Sequence, residues 1–235
     1  MRILVTGGAG FIGCNLIQRL LLNKNNTVFN IDKLSYASST TAIDNFLKSE
    51  KSESFGKYEF HKLNLENQED TENILEYINP DLIMHLAAES HVDRSIDSPE
   101  NFIASNIVGT FNLLEATRKK WKKFNEEKRN SFRFHHISTD EVFGSLGRYG
   151  SFSEETPYNP RSPYAASKAS SDHLVKSWYY TFGLPIILTN CSNNFGPWQF
   201  PEKLIPLTIY KAYRNESIPL YGNGENIRDW LFIDD

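Results

Sequence analysis

The run Ile137-Ser138-Thr139-Asp140-Glu141-Val142-Phe143-Gly144-Ser145 places a hydroxyl and two adjacent carboxylates at the end of a strand-like stretch. Two carboxylates in one partly desolvated site push their pKa values apart, so one can be protonated while the other is charged. Such a pair can remove a proton from one carbon and protonate a hydroxide leaving the next. Alone, the pair reads more simply as a solvated polar strand end. Tyr164 and Lys168 are four apart in a helical pattern, hence neighbours on one face. A nearby ammonium lowers a phenol's pKa, and the phenolate can take a proton from a substrate hydroxyl while hydride leaves the carbon. Thr139 is a candidate to hydrogen-bond that same hydroxyl. Alone, a Tyr-x-x-x-Lys pair is common in helices.

Hydride needs a carrier. Gly7, Gly10 and Gly13 follow a strand and open a helix, a pattern that lets backbone approach a pyrophosphate at a helix N-terminus. Asp32 ends the next strand, 19 residues after Gly13. A carboxylate there accepts from a ribose 2′-hydroxyl and repels a 2′-phosphate, so NAD is expected rather than NADP. The plainer readings are turn chemistry for the glycines and a cap before Lys33-Leu34-Ser35 for Asp32.

These groups must be held by a scaffold. Apolar or alternating runs at 3–5, 27–31, 58–63, 81–86, 132–138 and 185–190 predict strands. Helical periodicity covers 11–22, 69–78, 100–121 and 163–182. Residues 48–57 read as a polar loop insert, and 121–130 as a solvated loop or helix end. Strands alternating with helices predict an α/β fold, a Rossmann-type doubly wound parallel sheet. The expected division is a dinucleotide-binding domain over 1–190 and a partial nucleotide-sugar-binding region over 191–235, an incomplete C-terminal substrate-binding lobe interleaved with the sheet.

The chain has 235 residues, 40% hydrophobic and 23% charged, with net charge −4. That length can bury a sizeable core, and nothing in the charge suggests a nucleic-acid surface. No run approaches a membrane span, and residues 1–5 start directly as a strand, so a signal peptide is not expected. Cys14 and Cys191 read as reduced thiols of a cytoplasmic protein. No metal spacing is found; His135-His136 is adjacent and reads as strand.

The motifs come as a set that resembles the extended short-chain dehydrogenase/reductase family, in its nucleotide-sugar 4,6-dehydratase branch. The likeness runs through nearly the whole chain. It includes Asp32-Lys33-Leu34-Ser35-Tyr36-Ala37, Leu86-Ala87-Ala88-Glu89-Ser90-His91-Val92-Asp93-Arg94-Ser95 and Asn106-Ile107-Val108-Gly109-Thr110. It continues through the Thr139-Asp140-Glu141 triplet, Thr189 to Pro197, Phe200 to Pro206, Tyr221-Gly222-Asn223-Gly224 and Arg228-Asp229-Trp230-Leu231.

The resemblance implies NAD as cofactor and dTDP-glucose as substrate. Tyr164, assisted by Lys168 and Thr139, would deprotonate the sugar C4 hydroxyl while hydride passes to NAD. Glu141 would remove the C5 proton and Asp140 protonate the departing C6 hydroxyl. Hydride would return to C6 and C5 would be reprotonated, giving dTDP-4-keto-6-deoxyglucose. Cofactor positions implied are Gly7, Gly10, Phe11, Ile12, Gly13, Asp32, Lys33, Leu34, Ser35, Asn64, Leu65, Leu86, Ala87, Ala88, Ser105, Tyr164, Lys168 and Asn194. Substrate positions implied are Ser90, Thr139, Asn193, Lys203, Leu204, Pro219, Leu220, Tyr221 and Arg228. Asn193 and Arg228 would hold the diphosphate, for which Arg suits by bidentate donation; the plain reading of Arg228 is a surface ion pair with Asp229. His91, Asp93 and Arg94 match without an assigned chemistry.

Two departures from the family pattern stand out. Asn64 replaces the usual Asp at the adenine contact, where weaker cofactor retention is expected, and Ser105 replaces the usual Thr. The family also runs on for about a hundred residues past Asp235, so a fragment is expected. A homodimer is expected through helices 100–121 and 163–182. Other readings remain open: a dehydratase or epimerase of a UDP or GDP sugar, or an NAD-binding protein without turnover.

Overall fold

The structure is a computed structural model describing residues 1–49, 54–147, 149–220 and 222–235. The strand-like runs form β1 (Arg2–Thr6), β2 (Thr27–Asp32), β3 (Lys57–Lys62), β4 (Leu82–His85), β5 (Arg133–Thr139) and β6 (Ile186–Cys191). All pair in parallel, in the order β3-β2-β1-β4-β5-β6. The order reverses between β1 and β4, the switch point where such sheets open a crevice at their carboxyl ends. The expected Rossmann-type doubly wound sheet is therefore present.

Alternation along β1 feeds two cores, one on each face of the sheet. Ile3 and Val5 pack with Ile17, Leu21, Val28 and Ile43 under α1 (Phe11–Leu21) and α2 (Thr41–Leu47). Leu4 packs on the other face with Phe29, Ile83, Leu113, Phe134 and Val175. That face is covered by α3 (Gln68–Ile78), α6 (Gly109–Lys122) and α8 (Pro163–Phe182).

The end signals of α8 explain why the sequence defines it so sharply. Ser162 Oγ accepts from Ala165 N at 3.1 Å, Pro163 opens the helix, and Gly183 leaves it at φ 72°. For α3, Asn67 Oδ1 accepts from Asp70 N at 3.2 Å.

Several elements differ from expectation. The helix expected over 100–121 is three pieces: α5 (Pro99–Phe102), a π turn at Ile103–Val108, and α6. A π turn inserts a residue into the helical ladder, which hydrophobic periodicity does not register. Here it accommodates buried Asn106, whose Oδ1 accepts from Glu89 N at 2.8 Å. Its Nδ2 donates to Glu89 O at 3.0 Å and Ser167 Oγ at 2.8 Å. Short α2 and α4 (Val92–Asp97) carry too few turns for a periodic signal. The stretch 121–130, expected as a solvated loop or helix end, holds the end of α6 and adds α7 (Glu126–Ser131), which is polar and has no buried residue. Of the expected insert at 48–57, residues 50–53 lie outside the described residues, and Lys57 already belongs to β3.

Beyond the sheet lie β7 (Asn193–Phe195), α9 (Leu204–Tyr213) and β8 (Trp230–Phe232). β7 and β8 pair in parallel as a separate two-stranded sheet. Among the described residues, no helix is long and apolar enough to cross a membrane. Nor do three His, Cys, Asp or Glu gather to hold a metal ion.

Candidate active site

A cavity of about 670 Å³ opens at the carboxyl ends of β1 and β4 and runs toward β6 and α9. It collects almost all the residues expected to form a site. Every expected cofactor position lines it except Leu34, which stands at φ 58° in the loop after β2. Every expected substrate position lines it except Tyr221, which lies outside the described residues. Thr139, Glu141, Tyr164 and Lys168 are on its wall; Asp140 is not.

The glycine loop has no room for side chains. A Cβ on Gly7, at φ 75°, would come within 2.7 Å of the Ala87 backbone. One on Gly13 would come within 2.3 Å of Gly7 O. The backbone is thus packed onto itself at the first turn of α1, the place where a helix N-terminus can receive a phosphate. Asp32 is buried, and both its carboxylate oxygens are engaged by backbone. Oδ2 accepts from Ala9 N at 3.0 Å, which ties it to the glycine loop. Oδ1 accepts from Leu34 N at 2.8 Å, the cap that was the plainer reading. Burial holds its pKa above the usual carboxylate value. A tight glycine cradle with a buried carboxylate at the end of β2 fits a dinucleotide whose ribose keeps its hydroxyls.

Lys33 is paired with Glu89 at 2.9 Å and Glu66 at 3.5 Å, and reaches Ser105 Oγ at 3.4 Å. Glu89 also lines the cavity; its partnership with Lys33 spans distant residues and leaves no local sequence signal. At Asn64, Oδ1 accepts from Glu66 N at 3.1 Å. That oxygen is therefore a turn former as well as the candidate adenine contact.

The acid–base groups meet where β5 ends and α8 begins. Thr139 Oγ1 donates to Asp140 Oδ1 at 3.3 Å and accepts from Glu141 N at 3.2 Å. Both carboxyls are held above their usual pKa, first by burial. For Asp140 the Thr139 hydrogen bond opposes this; for Glu141 the neighbouring Asp140 charge adds to it, while Lys203 and Arg228 counter it. The two acids are thus raised together, with Glu141 feeling its neighbour, rather than pushed in opposite directions.

The Tyr164–Lys168 expectation needs correction. Burial pushes the Tyr164 phenol up, Glu141 adds to it, and a hydrogen bond with Thr139 opposes it. The Lys168 ammonium is engaged by the backbone: its Nζ donates to Ile137 O at 2.9 Å. Adjacency on one helix face brings side chains near each other, but strand β5 offers the ammonium a better partner. In the chain by itself, the phenol is neutral.

On the other side of the cavity, Lys203 Nζ donates to Ser90 O at 3.4 Å, and burial lowers its pKa. Asn193 N donates to Asp229 O at 3.2 Å. Arg228 donates to Ile227 O at 2.8 Å and forms no ion pair with Asp229. His91, unassigned from sequence, caps α4 by accepting from Arg94 N at 3.5 Å, and its Nε2 lies 3.7 Å from Glu202. Arg94 stacks 3.6 Å over the Tyr36 ring, and Tyr36 donates to Glu202 at 2.7 Å. Tyr36 and Glu202 stand 166 residues apart, which explains why spacing did not join them.

A family model described as GDP-mannose 4,6 dehydratase matches residues 4–235. The dTDP-glucose 4,6-dehydratase of Salmonella typhimurium is 52% identical over all of this chain and 66% of its own length. That of Neisseria meningitidis serogroup B is 51% identical, over all of this chain and 64% of its own length. The chain therefore spans just under two thirds of these relatives. The dTDP-glucose 4,6-dehydratase DesIV from Streptomyces venezuelae, in a crystal structure with NAD bound, is 37% identical with a TM-score of 0.87. The match covers all of this chain and 69% of that one. A UDP-glucuronic acid 4-epimerase from Bacillus cereus, with UDP-glucuronic acid and NAD, is 30% identical with a TM-score of 0.85, covering 100% and 70%. The glycine cradle, the Thr139-Asp140-Glu141 turn and the Tyr164/Lys168 helix thus stand on the fold of a known group, and the chain belongs to the GDP-mannose 4,6 dehydratase family.

Proposed function

We propose that this chain carries out the NAD-dependent dehydration of dTDP-glucose to dTDP-4-keto-6-deoxyglucose. One observation carries the reading: a single cavity joins the glycine cradle and Asp32 to Tyr164, Lys168, Thr139 and Glu141. A simple dehydrogenase has no use for a raised carboxyl pair beside its phenol. Gly7, Gly10, Gly13 and Asp32 would hold the pyrophosphate and ribose. NAD, when bound, supplies the acceptor for the C4 hydride and its return to C6, and in its oxidised form a positive charge near the phenol.

That charge is what Tyr164 lacks in the chain alone. With it, the phenol can release its proton and accept the one on the C4 hydroxyl, with Thr139 bonded to the same oxygen. The resulting C4 ketone acidifies the C5 proton. Glu141, on the cavity wall, takes it. Asp140, which the adjacent burial keeps more easily protonated than an ordinary Asp, protonates the C6 oxygen as it departs as water, and a proton returns to C5 when C6 is reduced. Lys203, Asn193 and Arg228 hold the diphosphate and sugar in place.

Support for the nucleotide comes from the relatives near 50% identity, which are dTDP-glucose enzymes. We propose also a cytoplasmic homodimer. Both cysteines are free thiols. Ile103, Val108 and Phe111 on the α5–α6 stretch, and Tyr179, Tyr180 and Phe182 on α8, are exposed. Light scattering at micromolar concentration should give twice the chain mass, and a monomeric mass would reject the dimer. The activity is tested by incubating the protein with NAD and dTDP-glucose and following the alkaline absorbance of a 4-keto-6-deoxy sugar. Product is expected; a folded, NAD-bound protein that gives none would reject the reading.

A further inference from the structure

Asp172 is fully buried and lies four residues after Lys168 on α8, outside every motif discussed above. Its carboxylate is a meeting point. Oδ1 lies 3.0 Å from His136 Nε2, while Oδ2 accepts from Ser138 Oγ at 2.8 Å and from Tyr158 Oη at 3.0 Å. Lys168, one turn earlier and itself buried, donates to Ile137 O. One helical turn therefore grips three successive residues of β5: His136, Ile137 and Ser138. The next three, Thr139, Asp140 and Glu141, are the candidate acid–base groups.

The charges around Lys168 single out Asp172. The ionisable groups that interact with the ammonium are Asp172 on α8, His136 on β5, His85 on β4 and Cys191 on β6, with Tyr164 one turn earlier on α8. Burial keeps the Tyr164 phenol and the Cys191 thiol protonated, hence uncharged. Burial also lowers His136 to about 4 and holds His85 well below its usual value, so both rings are neutral near pH 7. His136 can then donate through Nε2 to Asp172. Asp172 is held below its usual value despite burial, chiefly by its hydrogen bond with His136. A buried ammonium with no opposite charge tends to shed its proton.

We propose that Asp172 is a positioning residue of the proton-transfer centre, supplying the counter-charge for the Lys168 ammonium and pinning the end of β5 to α8. Its importance for turnover rests on the dehydratase reading; its hold on Lys168 does not. The test is therefore made on the lysine. Acetylation of Lys168 by acetic anhydride is followed across pH by mass spectrometry, with surface Lys24 as internal standard. It is measured in the native chain, Asp172→Asn and Asp172→Glu, alongside thermal melts. Asn keeps the size and can still accept from Ser138 and Tyr158; Glu restores the charge.

The midpoint for Lys168 should fall by about one pH unit or more in Asp172→Asn and recover in Asp172→Glu. An unchanged midpoint in a folded Asp172→Asn overturns the proposal. Should that variant fail to fold, the native chain decides: Lys168 must resist acetylation near pH 7 as an ammonium does, and reaction there as a free amine overturns it. A shift in a protein that makes no dehydration product leaves the counter-charge standing and removes the dehydratase reading. Product without a shift does the reverse.

Discussion

Phe29, Leu113, Phe134 and Val175 are each at most 2% exposed, whereas no described residue after Cys191 is fully buried. Both regions nevertheless line the same cavity. The six-stranded unit is held by two apolar cores, one on each face of its sheet. The later segment is joined to it by polar contacts near the surface and an edge-to-face contact of Phe200 with Tyr36. Asn15 Nδ2 donates to Pro197 O at 3.0 Å, Tyr36 to Glu202 at 2.7 Å, and Lys203 to Ser90 O at 3.4 Å. Such bonds contribute little net stability each, while buried apolar area contributes much. The glycine cradle, the phenol and the carboxyl pair thus rest on the rigid region, and the groups expected to hold the sugar nucleotide rest on the softer one.

That contrast can be broken most forcefully by core truncation. Phe134→Ala should cost about 3–5 kcal/mol, and Ile209→Ala, on exposed α9, should stay within about 0.5 kcal/mol. Equal losses in denaturant unfolding would erase the distinction between the regions. Gly13→Ala comes next. Its methyl meets backbone at 2.3 Å, which cannot yield cheaply, so about 1–3 kcal/mol and most NAD affinity should be lost. A calorimetric titration showing native affinity would mean that the cradle is looser than its geometry.

A smaller effect separates stability from function. The folded pKa of Glu141 is raised above its unfolded value near about 4.3, so its ionisation opposes folding. The penalty is absent below that pH and grows as pH rises through the folded pKa. Glu141→Gln should therefore melt higher than the native chain at pH 7 and level with it near pH 4. A gap that is the same at both pH values would show that charge is not the cause. Smallest is Tyr36→Phe, which removes one exposed tie between the regions. It should cost only about 0.5 kcal/mol globally yet speed proteolysis of the 196–203 stretch. Unchanged proteolysis would place the order of that segment elsewhere.

Legibility in the sequence follows the same divide. The helix over 163–182 could be read to its ends because Ser162, Pro163 and Gly183 each act locally. The glycine loop, Asp32 and the Thr139-Asp140-Glu141 turn were legible for the same reason. The π turn was not, because Asn106 owes its place to Glu89 and Ser167, contacts that arise only once the chain has folded. Lys168 was legible only in part on similar grounds: its neighbour on the helix was visible, but the carbonyl of Ile137 that accepts its hydrogen bond was not. The pairing of β7 with β8 joins Asn193 to Trp230 through a parallel register that no local pattern announces.

The central claim, that one cavity couples C4 oxidation to elimination across C5 and C6, is tested most directly by Glu141→Gln supplied with NAD and dTDP-glucose. Loss of the C5 base should leave the first oxidation possible and block the elimination. The absorbance of reduced nicotinamide should therefore accumulate while no 4-keto-6-deoxy product forms. Product formation by Glu141→Gln at the native rate would contradict the account.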